Sequence, residues 1–225
     1  MNLTVIYYTP NYKTESFAER IRQHLLEMIG DIPLISISQK PLNFGKNICV
    51  GDIGRSYKNV YRQMLIGAKK ATTDYVMMAE DDTLYPEDHF DERHFPPLDA
   101  FGYNMSRWSI CTWVKPARYV ITNRLCNSNM IAPRKLLIEL IEKRLAYKGK
   151  ATKLWSEPGK HDAEYGLGTY KIHQYITTPT VSFIHPETLA YEYLGKRKRL
   201  NPMQAYDIPT WGGAQNLVNF YYESN

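Results

Sequence analysis

The chain is poor in the features that mark non-globular proteins. No apolar run reaches the roughly eighteen residues of a membrane span, and the first residues enter an apolar run with no basic leader, so a soluble, cytoplasmic protein is expected. Cysteine is scarce: Cys49, Cys111 and Cys126 stand far apart with no CxxC pair, which excludes a disulfide framework and a zinc site and suits a reducing compartment. No GxGxxG follows the first strand-like run, no GxxxxGK[ST] occurs, and no GxSxG occurs. Dinucleotide oxidoreductases, P-loop NTPases and Ser hydrolases therefore lack their signatures. There is no internal repeat.

What remains is a globular composition. The 225 residues are 44% hydrophobic and 23% charged, enough to bury one sizeable core. The 28 Lys and Arg exceed the 23 Asp and Glu, giving a formal charge of +5, which favours anionic partners without the density of a dedicated nucleic-acid module. Tyrosine is abundant, with 18 residues, and supplies flat walls that also hydrogen-bond.

The order of patterns is strand, helix, strand, helix, strand. Residues 3–8 (LTVIYY) read as a strand, and Phe17, Ile21, Leu25 and Met28 recur at helical spacing. Residues 33–38 alternate as a second strand, and a helix is expected over 56–71. Residues 74–79 (DYVMMA) form a short apolar run suited to a central parallel strand. Further strands are expected at 118–122, 129–132 and 180–184, and a helix at 133–145. This order implies an α/β fold with a doubly wound sheet, whose ligand lies beyond the carboxyl ends of the strands.

The apolar run at 74–79 ends in Glu80-Asp81-Asp82. Three adjacent carboxylates in a confined site repel one another unless a cation compensates. Mg²⁺ or Mn²⁺ suits them, because such ions take one or two carboxylates and complete their sphere with phosphate oxygens and water. The competing reading is an exposed turn or a capped helix start before Pro86.

Residues 61–86 (YRQMLIGAKKATTDYVMMAEDDTLYP) resemble the nucleotide-binding half of metal-dependent GT-A glycosyltransferases, where a helix leads through an apolar strand to a DxD-type motif. Glu80 stands for the usual first Asp, and Arg62-Gln63 replaces the usual Arg-Asn. The resemblance implies a GT-A (Rossmann-like) mixed sheet flanked by helices, in a single domain with a nucleotide half over 1–88 and an acceptor half over 89–225. It also implies Mn²⁺ or Mg²⁺ as cofactor and a nucleotide diphosphate sugar, UDP-sugar first, as donor.

Residue by residue, the resemblance assigns Asp82 to the metal and Glu80, beside Asp81, to the sugar nucleotide. Tyr8, Thr9 and Pro10 would hold the base and ribose, with Asp52, Arg55 and Arg62 adding contacts. His185 is similar to a late histidine on the same metal, and Lys196, Arg197, Lys198 and Arg199 to a basic segment over the diphosphate. The alternatives are a backbone-bonded His185 and a solvated basic tail. Asp162 and Glu164 occupy the place of the catalytic base, with Glu157 in reserve; charges answering a helix dipole are the other reading.

In length and layout the chain is similar to small phage GT-A enzymes, some TET-associated, that glycosylate hydroxymethylpyrimidines in DNA, so hydroxymethylcytosine in DNA is the first expected acceptor and the host cytoplasm the location. Tyr103, Trp108, Trp113 or Trp155 could support an extruded base, Trp113 being first of all a core residue. A glycan, lipid-linked sugar or protein acceptor, with Trp155 and Tyr165 stacking on sugar faces, is the second reading. A non-catalytic nucleotide- or nucleic-acid-binding protein is the third.

Overall fold

The computed structural model describes residues 2–122, 124–186 and 203–222. The chain runs β1 (Leu3–Thr9), α1 (Glu15–Ile29), β2 (Leu34–Ser38), β3 (Lys46–Cys49), α2 (Tyr57–Lys70), β4 (Tyr75–Glu80) and β5 (Thr83–Leu84). It continues through β6 (Ala100–Asn104), β7 (Arg107–Cys111), β8 (Tyr119–Ile121), β9 (Met130–Pro133) and α3 (Arg134–Ala146). The last elements are β10 (Lys171–Tyr175), β11 (Thr180–Ile184), β12 (Gln204–Ala205), β13 (Asp207–Ile208), β14 (Gly212–Gly213) and α4 (Ala214–Tyr222).

The fold is α/β, with a mixed sheet flanked by helices. Seven strands lie in the order β10-β6-β9-β4-β1-β2-β3. β1 is parallel to both β2 and β4, and β2 to β3, whereas β9 runs antiparallel to β4 and β6. All seven residues of β1 are buried, because helices cover both faces, which explains the unbroken apolar run. On one face α2 and α3 bring Met64, Ala68, Leu137 and Leu140 against Ile6, Ile37 and Met78. On the other, Leu25 and Ile29 of α1 meet Leu3, Val5 and Met77.

Helix α2 starts where the Ser56 side chain accepts the Asn59 N–H at 3.2 Å. It approaches β1 closely at Gly67, where an added Cβ would lie 2.5 Å from Ile6 Cγ2.

A second sheet, β12-β8-β7-β11-β5, packs beside the first, its core formed by Ile110, Tyr119, Val181 and Phe183 with Phe17 and Ile21 of α1 and Val218 and Tyr221 of α4. Several elements were not expected from the sequence: β3 lies between the second strand and the second helix, β6 and β7 precede Trp113, and β10 and α4 fall in the last third. Among the described residues no helix is long and apolar enough to cross a membrane.

Candidate nucleotide and metal site

The chain leaves β1 for β2 on one side and later returns to place β4 on the other. The carboxyl ends of β1 and β4 thus flank a reversal of strand order, where open α/β sheets leave a crevice. A cleft of about 530 Å³ opens there, and Glu80, Asp81 and Asp82 line it. Glu80 is the last residue of β4, and Thr83 begins β5. The turn between them is clamped from β11: Phe183 N–H donates to the Asp82 carbonyl at 2.8 Å, and the Thr83 and Ser182 hydroxyls bond at 2.9 Å.

β1 positions the first two acids. Tyr8 Oη donates to Glu80 Oε1 at 2.6 Å, and Thr9 Oγ1 to Asp81 Oδ2 at 2.5 Å. Burial pushes the Glu80 carboxyl up to about 7 and Asp81 up to about 6, with the Asp82 charge adding to both. Asp82 is raised by burial too, although Lys13 and Arg107 oppose the shift. Burial is thus the chief cause of the raised pKa values of the turn. Its donors are hard carboxylate oxygens, which fit Mg²⁺ or Mn²⁺ with a sphere completed by phosphate and water. Among the described residues no group of three His, Cys, Asp or Glu side chains is arranged to hold a metal ion by itself.

Tyr8, Pro10 and Arg55 line the cleft with the acids. Three other expected nucleotide contacts act behind it. Thr9 is buried on Asp81. Asp52 accepts the Gly54 N–H at 2.9 Å and shapes the loop. Arg62 donates to Asn59 Oδ1 at 2.8 Å. Gln63 ties strand ends together by donating to the carbonyls of Thr9 and Ile37 at 3.0 and 3.1 Å.

His185 follows β11 near the acid turn; it is buried, hydrogen-bonded to the Tyr222 hydroxyl at 2.6 Å, and edge-on to Phe17 with ring centroids 5.0 Å apart. Lys196, Arg197, Lys198 and Arg199 lie outside the described residues.

Neither Asp162 nor Glu164, the expected bases, lines the cleft. Asp162 is 3% exposed and held bidentately by Arg144, Nε to Oδ1 at 2.7 Å and Nη2 to Oδ2 at 2.9 Å, while Gly159 N–H donates to Oδ2 at 2.7 Å. With its lone pairs engaged it is a structural anchor. Glu164 is exposed and pairs with Lys153 and His161, which hold its carboxyl below the usual range; it does not line the cleft.

Glu157 does line the cleft. Its loop is fixed by Arg144 Nη1 and Tyr61 Oη, donating to the Ser156 carbonyl at 2.7 and 2.5 Å, and by Tyr103 Oη, donating to the Pro158 carbonyl at 2.8 Å. Tyr103 is therefore core rather than a base support. Of the acceptor platforms, only Trp155 reaches the cleft. Trp108 packs near Tyr119, and Tyr165 against Tyr147.

Among the cleft residues that escaped sequence reasoning are Lys13 and Arg107. Lys13 follows a turn in which Asn11 adopts a φ of 57° and its side chain accepts the N–H groups of Gln39 and Lys40. Arg107 opens β7 and donates from Nε to Ser182 Oγ at 3.2 Å. Neither carries a motif; only the PNYK turn after the first strand could have drawn attention to Lys13.

No family model and no curated protein matches the chain. Among solved structures, it is similar to the mannosyltransferase PcManGT from Pyrobaculum calidifontis in complex with GDP-Man and Mn²⁺, at 14% identity over 80% of this chain and 56% of that one, with a TM-score of 0.48. The chain thus spans little more than half of that protein. A glycosyltransferase involved in glycosylation of the major capsid of PBCV-1 is 12% identical over 76% of this chain and 81% of that one, with a TM-score of 0.47. A nucleotidyl transferase from Methanothermobacter thermautotroptrophicus is 9% identical over 78% of this chain and 88% of that one, with a TM-score of 0.44. Likenesses of this size assign no activity to the chain.

Proposed function

We propose that the protein is a metal-assisted glycosyltransferase that moves a sugar from a nucleotide diphosphate sugar, UDP-sugar first, to an acceptor hydroxyl. The observation that carries this reading is the buried Glu80-Asp81-Asp82 turn lining a cleft at the carboxyl ends of β1 and β4. Asp82 would hold Mn²⁺ or Mg²⁺, and the ion's charge would stabilise the departing diphosphate. Tyr8 and Pro10 line the donor end, and Glu80 is directed toward the ribose.

In the reaction the acceptor oxygen bonds to the anomeric carbon, the bond from that carbon to the diphosphate oxygen breaks, and the hydroxyl proton passes to a carboxylate base. Glu157 is that base in this reading, because it reaches the cleft while Asp162 and Glu164 do not. Replacing Glu157 by Gln is expected to lower kcat about 100-fold with donor binding unchanged. Equal losses in binding and turnover would make Glu157 a donor contact instead.

Hydroxymethylcytosine in DNA is the first acceptor to test. Arg55 and Arg124 line the same cleft, suiting a polyanion, beside Lys153 and Lys160, which pair with Glu164 and Glu157, and Trp155 offers a stacking face. A sugar stacked on Trp155 is the second acceptor. The direct test of the donor site is UDP binding with Mn²⁺ or with chelator. Wild type should bind only with the ion, and Asp82→Asn should lose that dependence with at least a tenfold weaker complex. Binding indifferent to both ion and substitution would refute the donor reading.

A further inference from the structure

The acid turn shares its cleft with two cations, each of which has a buried nitrogen without a partner among the described residues. Among the described residues, Lys13 Nζ and Arg107 Nη1 are buried with no hydrogen-bond partner, and both residues line the cleft with Asp81 and Asp82. Neither forms an ion pair with a carboxylate among the described residues. An ammonium removed from water and left without an acceptor is costly, and only nearby opposite charge or a bound anion offsets it. Lys13 is felt from both sides of the cleft floor: its charge acts on Asp81 and Asp82 and also on His185. The amine therefore stands in the neighbourhood where Asp82 and His185 were expected to share a metal.

Charge bookkeeping gives the consequence. With all three acids ionised, the state a bound cation favours, they sum with Lys13 and Arg107 to one negative charge; a divalent ion turns this positive, and a diphosphate turns it back. Ion and diphosphate are each accommodated best with the other. We propose that Lys13 is the internal counter-cation of the acid turn: it opposes a divalent ion at Asp82 in the free protein and serves the anionic group of the nucleotide once ion and nucleotide bind together. Only the second half rests on the donor reading above.

The test follows Mn²⁺ binding to the full chain by the electron paramagnetic resonance of the free ion, without and then with UDP, for wild type, Lys13→Met and Lys13→Gln. Thermal melts check that each variant folds. Without UDP, both variants are expected to bind Mn²⁺ about tenfold more tightly than wild type, since a like charge near the ion has been removed. Asp82→Asn added to Lys13→Met should abolish that gain. At saturating Mn²⁺, UDP should bind the variants about tenfold more weakly.

Equal or weaker Mn²⁺ binding in both variants would overturn the proposal, as would no Mn²⁺ binding to any of the proteins. Tighter Mn²⁺ with unchanged UDP affinity would overturn its second half. Wild type that binds Mn²⁺ but not UDP contradicts the donor reading, and a Mn²⁺ gain in the Lys13 variants would then still support the counter-cation.

Discussion

Carboxylates of the same chemical type take opposite roles in this protein because of what surrounds them. Asp82 faces a cleft with its charge in excess, whereas Asp162 is sealed against Arg144. Replacing Asp162 by Ala should destabilise the fold by about 3–5 kcal/mol, since Arg144 would keep a buried charge without its partner. Urea melts measure this; a variant of wild-type stability with lost turnover would restore Asp162 as a base. The distinction was not legible in the sequence, because Arg144 lies 18 positions away and nothing in the local pattern marks its burial. The acid turn was legible, since an apolar strand ending in three acids is itself the signal.

His89 gives a residue-scale test of pH dependence. It is fully buried, bonded through Nδ1 to Asn104 Nδ2 at 3.0 Å, and burial lowers its ionisation to about 3. The unfolded chain takes up this proton near pH 6.5 and the folded chain only near pH 3, so between these values the unfolded state binds more protons and stability falls as pH falls. His89→Gln should lessen the loss of Tm between pH 6.5 and pH 4. A loss of unchanged size would show that His89 is not responsible.

At the scale of elements, the helix over α2 and the strands β1 and β4 were readable because their apolar spacing and their sheet position agree. β6 was not: Ala100, Gly102 and Asn104 have poor strand propensity, and the strand exists because β9 and β10 pair with its two edges. Gly67 marks the place where α2 and β1 depend on close approach. Gly67→Val should cost about 1–3 kcal/mol through overpacking against Ile6. Because α2 carries Gln63, which ties the ends of β1 and β2, the same variant should also weaken UDP binding. Unaltered stability would mean that the sheet gives way freely at Ile6.

For the whole molecule, the sheet brings together groups distant in sequence: Lys13 after β1, the acids after β4, Arg107 from β7 and Glu157 from the loop after α3 all meet at one cleft. Sequence order foretold the end of the sheet where this happens, but not which cations or which base would arrive, since those depend on tertiary packing of the later strands and loops.

The most direct test of the central claim is turnover of a UDP-sugar panel with Mn²⁺ or chelator, each with and without duplex DNA carrying hydroxymethylcytosine, reading free UDP and oligonucleotide mass. The account predicts UDP release that chelator and Asp82→Asn abolish, with a mass gain of one sugar if DNA is the acceptor. No release and no UDP binding with any donor would contradict it and leave the acid turn a structural feature.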